Sequence, residues 1–450
     1  MNNNLNKIFN PKNIAIIGAT DKKNSVGAGL MNNLSSFKGK VYPVNPNQDQ
    51  VFQEKTYNNI KDIKDDIELA IIAVPAKIVP GVVNECAQKK VKGIIIISAG
   101  FAESGKAGKK LQKEVLEIIK KNNISLIGPN SLGIINPINK LNASFAPDMP
   151  KKGPIAFISQ SGALIDSVID LSSEENYGFS KLISYGNGAD IDFSDLLLYL
   201  EKDEDTKAIA IYLEGIKKGK GKKFIKTAKK VNKTKPIIIL KGGKTKKGNK
   251  TIKSHTAALT SSYQVYLSAF KKSNIKVATE LEDLFDKAKA LAWQPQTKNK
   301  VGIIANSGGC NILAVDKCVK LGIKIPKLNS ETKEKIQNSK TIHPSTSLKN
   351  PLDLIGDALP ERYEAALKAM LSQDNINSLI AMQTLQIMTD TEKNAEAIIK
   401  AKEKYPEKPI VCSFIGGKMT KPGIDLLEKH KIPNYPTPER AVKALKALIK

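Results

Sequence analysis

One of three histidines poses the first chemical question in this sequence. His255 stands within residues 241–270, KGGKTKKGNKTIKSHTAALTSSYQVYLSAF, after a β-branched run at 237–240 that reads as a buried strand. Gly242, Gly243, a lysine-rich loop and Ser254-His255-Thr256 follow, just ahead of a helical pattern. An imidazole beside a glycine-bearing loop and a helix start can serve as a nucleophile or a phosphate carrier. Taken alone, the same residue reads more simply as a solvated side chain in a basic loop, so its companions must decide.

Two companions reach the same sheet edge. A strand over 155–158 runs into Ser159, Gln160, Ser161 and Gly162 and then a helix, and a strand over 208–213 ends at Glu214. A third, over 182–185, leads into Gly186-Asn187-Gly188-Ala189-Asp190. With 237–240, these strands of one βα-repeating segment deliver their loops to one edge. A helix amino terminus offers free N–H groups and partial positive charge, and so seats a phosphate. A carboxylate bonded to one imidazole nitrogen fixes the tautomer and leaves the other nitrogen to attack phosphorus. Separately, SQSG reads as a helix cap and Glu214 as a surface acid. Their convergence favours a phosphoryl-transfer site.

The elements that position these groups are α/β throughout. The first segment alternates strands at 14–17, 41–44, 69–74, 93–98 and 125–127 with helical stretches, the pattern of a doubly wound parallel sheet. Ligands in such sheets sit beyond the strands' carboxyl ends. Those ends carry Gly18, Ala19, Thr20 and Asp21, then Asn45 and Pro46, Val74 and Pro75, Ala99, Gly100 and Phe101, and finally Asn130. They make a nucleotide-type crevice, though Gly18 is equally suited to a purely structural turn. The first turn, GATDKKNSVGAG, is not G-x-G-x-x-G, and Asn45 stands where a nicotinamide-binding domain places an acid, which argues against NAD.

Polar stretches at 146–154 and 293–300 read as linkers and divide the chain into segments 1–145, 146–295 and 296–450. In the last, a strand at 301–305 precedes Asn306-Ser307-Gly308-Gly309-Cys310, and strands near 379–382, 410–414 and Tyr435 alternate with helices. Cys310, with no base identifiable beside it, reads as a packing cysteine, and His343 and His430 read as structural.

Composition narrows the function classes. With 41% hydrophobic residues and 5% aromatics, and no run near the ~18 apolar residues of a membrane span, the chain suits soluble α/β domains. Its amino terminus lacks a signal-peptide core, and Cys86, Cys310, Cys318 and Cys412 have neither metal nor disulfide spacing, so a cytoplasmic setting is expected. The net charge of +27 invites nucleic acid, yet of 71 basic residues only Arg362 and Arg440 are arginine. The lysines are dispersed and lack aromatic interleaving, which argues against a nucleic-acid surface.

In this order GPNSLG at 128–133, SQSGA at 159–163, YGNGADID at 185–192, YLEG at 212–215, SHTAAL at 254–259, NSGG and NPLDLIGDALPERY at 350–363 span the chain. Together they resemble the alpha subunit of ADP-forming acyl-CoA (acetyl-CoA) synthetase, a family similar to the succinyl-CoA synthetase alpha subunit with an added third domain. The resemblance implies an amino-terminal Rossmann-like CoA-binding domain followed by two flavodoxin-like domains. It implies coenzyme A along the crevice residues named above, a phosphohistidine at His255, Glu214 as its orienting acid, and the helix start at 159–162 as phosphate seat. It further implies ADP or ATP with Mg2+ on an ATP-grasp beta subunit, in an α2β2 heterotetramer, because no segment here reads as that fold.

Departures from the family pattern are Ala257, Ser261 and Tyr263-Gln264 after the histidine, where glycine and an acidic residue are usual. Asp166 stands where succinate-specific relatives carry tyrosine, which argues against succinate. Competing readings are a CoA-binding regulatory or scaffold protein without transfer activity, a Rossmann oxidoreductase and a nucleic-acid binder.

Overall fold

The computed structural model describes residues 4–255 and 262–450, with the side chains of 253–255 outside that description. It forms two compact units, residues 1–277 and 278–450. Among the described residues no helix is long and apolar enough to cross a membrane.

The first unit opens with a five-stranded sheet in the order Lys40–Val44, Asn13–Ile17, Leu69–Ile72, Gly93–Ile96, Ser125–Ile127, every pair parallel. Alternation explains why helices cover both faces. Ile14 and Ile16 enter one core cluster with Leu30 and Leu34, while Ala15, Ile17 and Ile72 face Val79, Val83, Val115 and Ile119.

A seven-stranded sheet follows, in the order Lys276–Ala278, Ile237–Lys241, Ala208–Leu213, Lys152–Ser159, Phe179–Ser184, Gly133–Asn136, Leu141–Ser144. Its parallel middle is the set of strands expected to gather the site loops, with in-register pairs such as Ser159↔Tyr212 and Leu213↔Lys241. Two features differ from the sequence reading. The hairpin of Gly133–Asn136 and Leu141–Ser144 adds antiparallel strands, pairing Ile183 with Ile134, so this sheet is mixed. The stretch at 146–154 is also partly strand, since Lys152–Ser159 begins within it.

The second unit holds a four-stranded parallel sheet ordered Leu352–Asp353, Val301–Ala305, Ser378–Gln383, Ile410–Phe414. Helices Leu281–Trp293 and Pro438–Leu448 pack beside it, tied by Arg440 Nε and Nη2 on the Asp286 carboxylate at 2.9 and 2.8 Å. The four cysteines are all buried and free.

Candidate active site

The helix start at Ser159–Gly162 is built by a strand that stops abruptly. After Lys152–Ser159 the Ser159 hydroxyl donates to the Ser161 carbonyl at 2.7 Å and accepts the Ser161 N–H at 3.0 Å, closing a tight turn. Helix Gly162–Glu174 starts at once, and Ser161 makes no side-chain capping bond to it. Its first N–H groups are therefore open to an anion. Ser159 itself is buried and its hydroxyl is spent on the turn.

Gln160 does something different from seating an anion. Its Oε1 accepts the N–H groups of Glu214 and Gly215, and its Nε2 donates to the Gly215 carbonyl. Glu214, only 5% exposed, is thus pinned immediately beyond Ala208–Leu213. Tyr212, one residue inside the strand, bonds the Glu214 carboxylate; burial first, and then that charge, push its phenol up to about 12.

A cavity of about 610 Å³ joins this helix start to the first sheet's crevice. Val74, Pro75, Ala99 and Asn130 line it from the crevice, and Gln160, Ser161 and Gly162 from the helix start. The cavity therefore opens both to those strand ends and to the open helix start. Sequence reasoning missed Val26 and Phe145, apolar cavity residues whose partial exposure makes them resemble ordinary surface, and it missed Ser98. Asp166 lines the cavity too; one carboxylate oxygen is buried without a partner, and burial pushes its pKa above the usual carboxylate range.

Other crevice residues lie around the cavity without lining it. Gly18 turns at φ +92°, Ala19 is buried, and the Asn45 amide donates to the Ala19 carbonyl at 2.8 Å. Thr20 is half-buried, and Asp21 and Pro46 are exposed beside this turn. Phe101 is buried in the core, and the N–H groups of Gly100 and Phe101 are bonded by the Glu103 carboxylate at 2.6 and 3.0 Å.

The histidine segment is more helical than its composition indicates. Residues Lys246–His255 form a helix, capped by Thr245 Oγ1 accepting the Gly248 N–H at 3.0 Å. Ile252 is buried, and Gly243 at φ +72° leaves it room. The backbone of His255 ends this helix; its side chain, Ala257 and Ser261 lie outside the described residues. Tyr263 begins the next helix, Tyr263–Lys272. His343 Nδ1 accepts the Ser345 N–H within a turn, and His430 caps a helix carboxyl end with Nδ1 2.9 Å from the Leu426 carbonyl. The Cys310 thiol is raised by burial, as for a packing residue.

The site thus combines an open helix start, a parallel-sheet crevice and a buried acid on an α/β chain. Residues 12–137 match the model of a CoA binding domain, 152–291 that of a succinyl-CoA ligase like flavodoxin domain, and 301–450 that of a ligase-CoA domain. The chain is 42% identical to subunit alpha of acetate–CoA ligase (ADP-forming) II from Pyrococcus furiosus, over 99% of this chain and 97% of that protein. It is 44% identical to the acetate–CoA ligase (ADP-forming) of Methanocaldococcus jannaschii, of which it spans 63%. Among solved structures it matches acetyl-coenzyme A synthetase 1 of Ca. Korarchaeum cryptofilum, in complex with phosphate and ADP. That match has a TM-score of 0.93 and 36% identity, covering 100% of this chain and 96% of that one. The chain belongs to the alpha-subunit family of ADP-forming acetate–CoA ligases.

Proposed function

We propose that this chain carries the phosphohistidine of a reversible acyl-CoA synthetase, converting acyl-CoA, ADP and phosphate into acid, CoA and ATP. What carries the reading is the single cavity onto which both the strand ends at Val74, Pro75 and Ala99 and the start of helix Gly162–Glu174 open. A thioester and a phosphate placed there would lie close enough to react.

Phosphate oxygen attacks the thioester carbonyl, the C–S bond breaks, and CoA leaves as thiolate. The open N–H groups in the first turn of helix Gly162–Glu174 hold the resulting acyl phosphate. A nitrogen of His255 then attacks phosphorus, the bond to the acyl oxygen breaks, and the acid departs as carboxylate. Glu214 orients the imidazole and balances its charge. Finally a terminal oxygen of ADP takes the phosphoryl group, with Mg2+ supplying charge neutralisation on the nucleotide. We assign the nucleotide site to an ATP-grasp partner in an α2β2 assembly; the subunit designation of the Pyrococcus furiosus relative supports the existence of a partner chain. A cytoplasmic setting belongs to the same proposal.

The test is ATP formation from acetyl-CoA, phosphate and Mg-ADP by the chain with its partner, run beside other acyl-CoA thioesters. Turnover that needs both subunits and phosphate supports the reading. CoA binding with no turnover for any thioester would favour a CoA-binding regulatory or scaffold protein instead.

A further inference from the structure

That mechanism leaves unused a buried charge beside Glu214. Lys241 ends strand Ile237–Lys241 and is 1% exposed. A lysine ammonium so placed persists only where hydrogen bonds replace its water. Its Nζ donates to the Glu214 carbonyl at 2.8 Å and to the Gly242 carbonyl at 2.6 Å. It also lies 4.7 Å from the Tyr266 ring centroid, within cation–π range. The Tyr266 hydroxyl in turn accepts the Ile216 N–H at 3.0 Å.

One ammonium therefore gathers the acid-bearing turn after Leu213, the glycine foot at Gly242 and helix Tyr263–Lys272. The sheet ladder does not need it, because Leu213 pairs with Lys241 in register and the Gly242 N–H bonds the Leu213 carbonyl at 2.9 Å. What Lys241 adds lies past the ladder. The Glu214 peptide is gripped from both sides, its N–H by Gln160 and its carbonyl by Lys241.

We propose that Lys241 is a positioning residue for phosphoryl transfer, its ammonium holding the main chain of Glu214 and Gly242 so that the Glu214 carboxylate keeps its place at the strand edge. The proposal rests on the phosphohistidine reading. It carries a pH signature, because burial pushes this amine down to about 8 against the opposing charge of Glu214. Among the described residues the titratable groups facing it are Glu214, Tyr212 and Tyr266, and both phenols are raised by burial, away from that range. The ammonium is intact at pH 7 and largely lost at pH 9, and a neutral amine grips carbonyls more weakly.

The chain assembled with its nucleotide-binding partner would be labelled with Mg-[γ-32P]ATP from pH 6.5 to 9.5, as wild type, Lys241→Met and Lys241→Arg. Omitting CoA keeps thiol titration out of the profile. The wild-type labelling rate is expected to fall about tenfold as pH rises through 8. Lys241→Met should be slow at every pH without that break, and Lys241→Arg should hold its rate to higher pH. Should the Met variant fail to fold, seen as loss of CoA binding, the Arg profile decides. Label in the wild type with unchanged profiles in the variants overturns the role of Lys241 alone; no label in any form overturns the phosphohistidine reading and this proposal with it.

Discussion

The side chain of Gln160 and the backbone of Glu214 are joined as though Gln160 were one more residue of a neighbouring strand. Its Oε1 takes the Glu214 and Gly215 N–H groups, the latter at 2.9 Å, and its Nε2 returns a bond to the Gly215 carbonyl at 3.1 Å. The helix start that would seat phosphate and the acid that would orient the histidine are thus set by the same residue.

Gln160→Ala should therefore impair transfer more than binding. It strips partners from two N–H groups and one carbonyl, at about 1–3 kcal/mol for each buried group left unsatisfied. We expect the labelling rate of His255 to fall at least tenfold, CoA affinity to change less, and Gln160→Glu to recover part of the loss through its acceptor oxygen. Stopped labelling reactions beside calorimetric CoA titrations measure both. Unchanged labelling in the Ala variant would show that the clamp is dispensable.

The crevice makes a second prediction at Gly27. A Cβ there would stand 2.2 Å from the Gly18 carbonyl oxygen, forcing helix Val26–Leu34 away from the first strand turn. Gly27→Ala should destabilise the chain by about 1–3 kcal/mol and weaken CoA binding. Gly81→Ala is the control, since nothing lies within 4 Å of its Cβ and an alanine in a helix is favourable. Equal melting of the two variants would contradict the packing argument.

Much of the fold was legible because parallel strands buried on both faces read as unbroken apolar runs. Strands Ser125–Ile127, Ala208–Leu213, Val301–Ala305 and Ile410–Phe414 fall where those runs place them. The hairpin Gly133–Asn136 and Leu141–Ser144 was hidden by polar residues that the fold buries and pairs, such as Asn136, whose amide donates to the Phe9 carbonyl at 3.0 Å. The helix Lys246–His255 was read as loop, since its charge density, and Ile252 as the one buried residue among its described side chains, leave almost no periodic signal. Gln160 was legible as part of a helix start, but not as the partner of Glu214, because that bond spans chain positions related only by sheet order. Lys241 carried no mark at all, one lysine among many.

The buried amine of Lys241 also predicts a stability profile. Its folded value, about 8, lies below the ordinary 10.5, so between those limits the unfolded chain holds more of this proton. Its contribution is full above the unfolded value and is lost as pH falls through 8. The stability of wild type relative to Lys241→Met should thus rise by up to about 3 kcal/mol from pH 8 to 10.5. Urea unfolding at paired pH values measures it; a constant difference would mean that Lys241 titrates normally.

The central claim is tested most directly by phosphate on His255. The chain with its partner would be given Mg-[γ-32P]ATP, or acyl-CoA with [32P]phosphate, beside His255→Ala and Glu214→Gln variants. The account predicts acid-labile, base-stable label on the wild type, discharged by ADP or by acid with CoA. It predicts none on His255→Ala and at least tenfold slower labelling of Glu214→Gln. Equal label on wild type and His255→Ala, or none on the wild type from either side while CoA still binds, would contradict it.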